Sequence, residues 1–289
     1  MSSPKHMERH LPNVADSLSR APSILSLCLQ AFQPLLRYRE VLWNTTVGEL
    51  RQRYAGSLMG LFWLALSPML LMAFYSFVYL VVFRIRPTAM SEYEYVLYML
   101  AGLIPFLGLS EALTFGTASL SFNKAILLNT VFPSELVPVR AVLVSQASTA
   151  VGLALTVLIA LFMGKLSWTI LLVPLVWLLQ VMFVMGLVWI LALASLVFRD
   201  IQQSLTFVMM ALMVVTPIAY TVDMVPRAVR AVVYVNPLSY FVLAFHDLIV
   251  FGRAPSVATV AIMVALAFLS YGIGFWIFQR AKKVFFDYA

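Results

Sequence analysis

Glu111 raises the first chemical question, because it is a carboxylate set inside a long apolar run. An acid within a membrane-spanning segment is costly to desolvate and is read by default as functional. Ser110, Thr114, Thr117 and Ser121 lie near it at roughly helical spacing, giving that segment one polar face. Two chemistries suit the face. It either walls a water-accessible passage, with Glu111 meeting substrate or a neighbouring helix, or it supplies the hydrogen bonds that hold helices together. Other candidates are sparse. His6 and His10 have the i, i+4 spacing of a helical zinc pair but sit in a proline-flanked tail. His246-Asp247 has no accompanying nucleophile motif and reads as a structural pair. Gly164-Lys165 is followed by Leu166, and Ile159 stands where the first glycine of a Walker A loop belongs, so no phosphate-gripping loop is present. Gly272 and Gly274 are followed by Ile277, which excludes a dinucleotide fingerprint. No catalytic, metal or cofactor site is expected on this chain, and it is not expected to be an enzyme.

The elements that would position Glu111 follow from composition. The chain has 289 residues, of which 63% are hydrophobic and 11% charged. A soluble domain is nearer half apolar and a quarter charged, so lipid must be the solvent for much of this one. Its single cysteine, Cys28, rules out an internal disulfide framework. The net charge of +7 comes from basic residues that flank apolar segments, which is a topology signal and not a nucleic-acid surface.

Six segments have the length and apolarity to cross a bilayer as helices: 58–83, 95–120, 139–163, 168–197, 204–222 and 256–278. Continuous apolar runs favour helices over barrel strands. The expected fold is therefore an all-α, polytopic, six-span membrane protein. With the N-terminus inside, 13 of the 19 Lys and Arg lie on the cytoplasmic side, which places both termini in the cytoplasm. Residues 1–39 carry scattered charges and four prolines, with no clean apolar core for a signal peptide. They are expected to form a mobile cytoplasmic tail, leaving 40–289 as the six-span domain.

Two regions outside the spans carry structure of their own. Residues 41–57 mix Val41, Leu42, Val47, Leu50 and Tyr54 with Glu49, Arg51 and Arg53, as suits an amphipathic helix in the cytoplasmic interface. Residues 226–251 are apolar but broken at Asn236-Pro237, and read as two re-entrant half-helices on the outer side before the last span. Gly56 and Gly60 have the spacing that lets helices approach closely. Among the aromatics, Trp63, Phe74, Tyr75 and Tyr79 are candidates for lining a passage along which sugar rings slide. The absence of an evident internal repeat weighs against an inverted-repeat carrier.

Several stretches together resemble the permease subunits of type-2 ABC exporters, in the branch that exports O-antigen, capsule and teichoic acid. The first runs Gly48 to Leu70, with Arg53, Tyr54, Ser57, Gly60, Trp63 and Pro68 at the family's positions. The second is Asn123 to Val139, with the Phe132-Pro133-Ser134-Glu135 step. The third is Phe198-Arg199-Asp200-Ile201, followed by Thr216-Pro217 and Asn236-Pro237-Leu238. His246 departs from the basic residue, such as arginine, expected at its position. The resemblance implies a homodimer bound to two separate ABC ATPase subunits, which carry the ATP and Mg. It implies that Asn123, Leu127, Leu128, Val131, Phe132, Pro133 and Glu135 belong to an ATPase-coupling loop. Arg199 and Asp200 would mark the second cytoplasmic turn and pair locally or with the partner. The expected function is export of a lipid-linked polysaccharide across the bacterial inner membrane, through a passage lined by residues such as Trp63, Phe74, Tyr75, Glu111, Thr114 and Thr117. A drug or small-lipid exporter on the same scaffold, a membrane-embedded lipid-linked glycosyl or acyl transferase, and a proton-coupled carrier remain as alternatives.

Overall fold

The computed structural model describes residues 23–82, 90–122, 133–165 and 167–287 and, for 283–287, the backbone alone. The described residues form helices joined by short turns, with no strand among them. In chain order the helices are α1 (Ile24–Arg37), α2 (Arg39–Arg53), α3 (Trp63–Phe77), α4 (Glu92–Phe122), α5 (Leu136–Phe162), α6 (Val173–Val197), α7 (Asp200–Val215), α8 (Arg230–Val235), α9 (Pro237–Ile249) and α10 (Val257–Asp287).

Among the described residues, five stretches are long and apolar enough to cross a membrane: Gly60–Val82, Glu92–Phe122, Leu136–Phe162, Trp168–Val197 and Val257–Lys282. The first joins a 3-10 turn, α3 and a closing π turn. These five match expected segments. The expected span 204–222 does not reach that length. It is the 16-residue α7, about 24 Å long against a core of about 30 Å. The cause is local: Thr216 precedes Pro217 and takes an extended backbone (ψ 134), which stops the helix before the apolar run ends.

α4 is the central pillar, flanked by α5 and α6, with α9 across its N-terminal half. Its start is fixed by a capping box, in which the Ser91 backbone N–H and hydroxyl both donate to Glu94 Oε2 (2.9 and 3.0 Å). Buried amides then hold it laterally. Gln146 Nε2 on α5 donates to the Gly108 carbonyl (3.1 Å), and Gln180 Nε2 on α6 donates to the Pro105 carbonyl (2.8 Å). α6 and α10 touch backbone to backbone at Gly186 and Gly274. A Cβ on Gly186 would run into the Ser270 carbonyl.

The Asn236-Pro237 break is present. Asn236 caps α9 through Leu238 N (3.0 Å), and its Nδ2 donates to Thr216 Oγ1 (2.8 Å), fastening the break to the end of α7. Tyr95 and Tyr98 on α4 donate to the carbonyls of Ala219 and Tyr220 (2.8 and 3.1 Å), so the segment after α7 is held against the pillar.

The N-terminal region differs from expectation in two ways. Residues 24–37 are a helix and not tail: α1 buries Leu27, Cys28 and Ala31 against α10, where Gly272 leaves room for the Cys28 sulfur. This helix, and not the segment 41–57, carries the stronger separation of apolar and polar faces; α2 is largely polar. Gly56 and Gly60 also play another part. Both have positive φ (77° and 51°), and a Cβ on either would meet nothing within 4 Å, so they turn the chain between α2 and α3 and seat no neighbouring helix.

Candidate functional site

Two ion pairs fasten the end of α2 to the spans. Arg53 Nη2 lies 2.5 Å from Glu111 Oε1 on α4, and its guanidinium sits 4.8 Å over the Phe115 ring. One turn back along α2, Glu49 Oε2 lies 2.5 Å from Arg140 Nε on α5. The spacing of Glu49 and Arg53 puts both on one helix face, and each finds its opposite charge on a different span. Between them opens a cavity of about 440 Å³, with Gln52, Phe115 and Phe122 completing its wall. A second cavity of about 270 Å³ is lined by Ser67, Pro68, Gly108, Glu111 and Thr149, between α3, α4 and α5. Glu111 thus stands at a helix-to-helix ion pair and on a cavity wall at once. The two roles weighed for it from the sequence are not mutually exclusive here.

The other passage candidates separate. Thr117 is fully buried, and its carbonyl accepts a hydrogen bond from Ser195 Oγ on α6 (2.7 Å), so it is a helix contact and lines no opening. Thr114 is half-buried and bonds back to the Ser110 carbonyl (2.9 Å). Trp63 is half-buried at the start of α3. Phe74 is exposed, edge-on to Tyr75 at 5.9 Å. From Tyr75 an aromatic run continues to Tyr79 (6.4 Å) and on to Tyr95 of α4 (6.4 Å). Tyr98, one turn along, stacks on His246 at 3.7 Å and meets Phe251 edge-on at 6.0 Å. Sequence reasoning missed Tyr95 and Tyr98. Their i, i+3 spacing at the start of an apolar helix was the available signal, shared with many interfacial tyrosines.

On the α2 face, Arg51 points to solvent while Tyr54 is half-buried at the helix end. Arg199 and Asp200 are both exposed at the start of α7, and neither forms an ion pair among the described residues. Asp200 instead occupies the first turn of α7, where a negative charge suits the helix dipole. His246 and Asp247 do not pair with each other: His246 stacks on Tyr98, and Asp247 pairs with Arg253 at 2.7 Å. On the same side of the bundle, Lys165 forms a close ion pair with Glu94.

Of the expected coupling-loop residues, Asn123, Leu127, Leu128, Val131 and Phe132 lie outside the described residues, as do His6 and His10. Pro133 is half-buried and Glu135 buried. The Glu135 carboxylate accepts from Lys282 Nζ on α10 (2.7 Å).

Comparison with known proteins gives a consistent result. The sequence profile of the ABC-2 type transporter family matches residues 40–250. An O-antigen export system permease protein RfbA of Myxococcus xanthus is 24% identical over 260 residues, spanning 89% of this chain and 98% of the relative. A protein of the same description from Klebsiella pneumoniae is 26% identical over 240 residues, spanning 82% and 90% respectively.

Proposed function

The chain belongs to the ABC-2 type transporter family, and on that premise we propose that it is the membrane-spanning subunit of an ATP-driven exporter of a lipid-linked, O-antigen-like polysaccharide. The observation that carries this reading is the near end-to-end similarity to permeases described as O-antigen export proteins. In this scheme the chain lies in the bacterial inner membrane with both termini cytoplasmic. α7 completes a sixth crossing, helped by the segment after Thr216, and α8 and α9 form the re-entrant pair on the outer side. Two copies enclose the passage, and the exposed face of the first span meets the second copy. ATP and Mg belong to a separate ATPase subunit, which docks on the loop ending at Pro133–Glu135.

The mechanism is a two-state one. Nucleotide binding must favour one arrangement of the spans over the other by differential contacts, or it shifts nothing. The α2 ion pairs to Glu111 and Arg140 supply a mechanical link for that shift. A helix held to two spans at once moves with both, so displacement at the cytoplasmic surface is felt beside the cavities. The tyrosine run from Tyr75 to Tyr98 offers aromatic faces to sugar rings.

Purification of the chain in mild detergent, with its ATPase co-expressed, tests the reading. The ATPase is expected to co-purify, and Phe132→Asp is expected to release it, because a charge cannot be buried unpaired in an apolar contact. Full export in cells lacking the ATPase would overturn the proposal.

A further inference from the structure

Three helices meet at one residue on the cytoplasmic side. Glu135 precedes the first turn of α5. Its backbone carbonyl accepts from Trp189 Nε1 of α6 at 3.0 Å, and its carboxylate accepts from Lys282 Nζ of α10 at 2.7 Å. Trp189 is fully buried and packs on Tyr271 and Phe275 of α10, with ring centroids 5.2 and 5.3 Å apart. The carbonyl bond and the ring contacts hold the base of α5 to α6, and α6 to α10. Among the described residues, the ion pair ties the start of α5 directly to the C-terminal part of α10.

An exposed ion pair would hold little, since water screens it and two long side chains must be ordered. This pair is different. The Glu135 side chain is 11% exposed and that of Lys282 34%. A carboxylate so shielded is costly to leave alone, so the lysine is its required counter-charge. The two residues are far apart in sequence, and nothing in the local helix geometry of either demands the other.

We propose that Glu135 and Lys282 are a positioning pair for export, tying the base of α5 to the last span so that both move when force enters at the cytoplasmic surface. The inference rests on the coupling role proposed above for the loop that ends at Pro133–Glu135. With the pair intact, displacement of the α5 base carries the end of α10 with it. With the pair broken, the end of α10 follows α5 only indirectly, through α6, and ATP hydrolysis proceeds with less export for each turnover.

The test uses the full chain with its ATPase. ATP hydrolysis is read on the purified complex, and export as cell-surface hexose released by mild acid. Glu135→Gln and Lys282→Gln are each expected to lower export relative to hydrolysis by about fivefold, the range in which residues along a coupling route act. The double variant is expected within about twofold of either single one, because one broken tie cannot be broken again. Lys282→Arg keeps the charge and is expected to retain most of the export. A merely structural role would instead reduce the yield of complex and leave the export-to-hydrolysis ratio unmoved. Wild-type ratios in the single variants, or losses that multiply in the double variant, overturn the tie while leaving the exporter reading intact. Surface hexose that does not depend on this chain at all overturns both.

Discussion

The first and second spans have nearly equal mean hydropathy, yet in an apolar 18-residue stretch of each, 11% of the first is buried within the chain and 78% of the second. Hydropathy therefore says that each enters lipid and nothing about what each touches. The difference lies in the small residues. α4 has Gly102, Gly108 and Gly116, and onto these sit His246, Thr149 and Val188 from α9, α5 and α6. Between Leu61 and Val82 the first span has no glycine. Lipid tails are as apolar as leucine, so helices associate where backbones can approach and side chains interlock. α4 is built to be surrounded. α3 keeps Met69, Leu70, Phe74 and Phe77 on an exposed face, which lipid or another protein surface must cover.

The strongest attack on this contrast is Gly116→Leu. A Cβ at that position would stand 2.5 Å from a Val188 methyl, in a contact with little room to yield. Overpacking at the centre of the bundle is expected to lower the unfolding temperature in detergent by roughly 10 °C. A variant as stable as wild type would mean that α4 is not the packed centre. A smaller effect sharpens the contrast from the polar side. Arg53→Gln and Glu111→Gln, combined in a double-mutant cycle, are expected to show about 1 kcal/mol of coupling in detergent unfolding. Both side chains are partly exposed, at 34% and 26%, which keeps the value near that of a surface pair. A coupling of zero would detach α2 from the pillar.

Much of the fold was legible. The fourth span runs 168–197 as expected, and the Asn236-Pro237 break sits where proline chemistry puts it. The departures share a cause, which is reading one signal where two compete. In the run 204–222 hydropathy continues past Val215, but Thr216-Pro217 ends the helix. Residues 24–37 fell within the tail expected over 1–39 because of the prolines and charges spread through that stretch, though they hold only Pro34 and Arg37 of these. Yet Leu27, Cys28 and Ala31 already formed a stripe of helical spacing, and Pro34 is accommodated within α1. Gly56 and Gly60 satisfy a helix-packing motif but serve turns, because positive φ takes precedence over spacing. The candidate site was half legible. Glu111, Arg53 and Glu49 could be singled out by type, and their pairing could not, because it depends on where α2 lies across α4 and α5. Thr117 has the right spacing for a polar face. It is nevertheless buried, and its carbonyl is bonded by Ser195 of α6, a residue no local pattern connects to it.

The smallest expected effect discriminates most sharply between the two spans. Phe74 is 63% exposed, and its closest ring neighbour, Tyr75, is adjacent on its own helix. Phe74→Ala therefore removes little packing within one chain, and the stability of the monomer in detergent should change by no more than about 0.5 kcal/mol. A buried phenylalanine cut to alanine would cost about 3–5 kcal/mol. A loss of that size would show that α3 is packed inside the isolated chain after all. The same variant is informative about what covers the face. If a second copy seats there, removing an aromatic anchor should lower the dimer fraction at fixed detergent and protein concentration, because interface energy concentrates in such residues. Analytical ultracentrifugation reads that fraction directly. An unchanged dimer would leave lipid as the partner of the first span, and the second copy would have to meet this chain elsewhere.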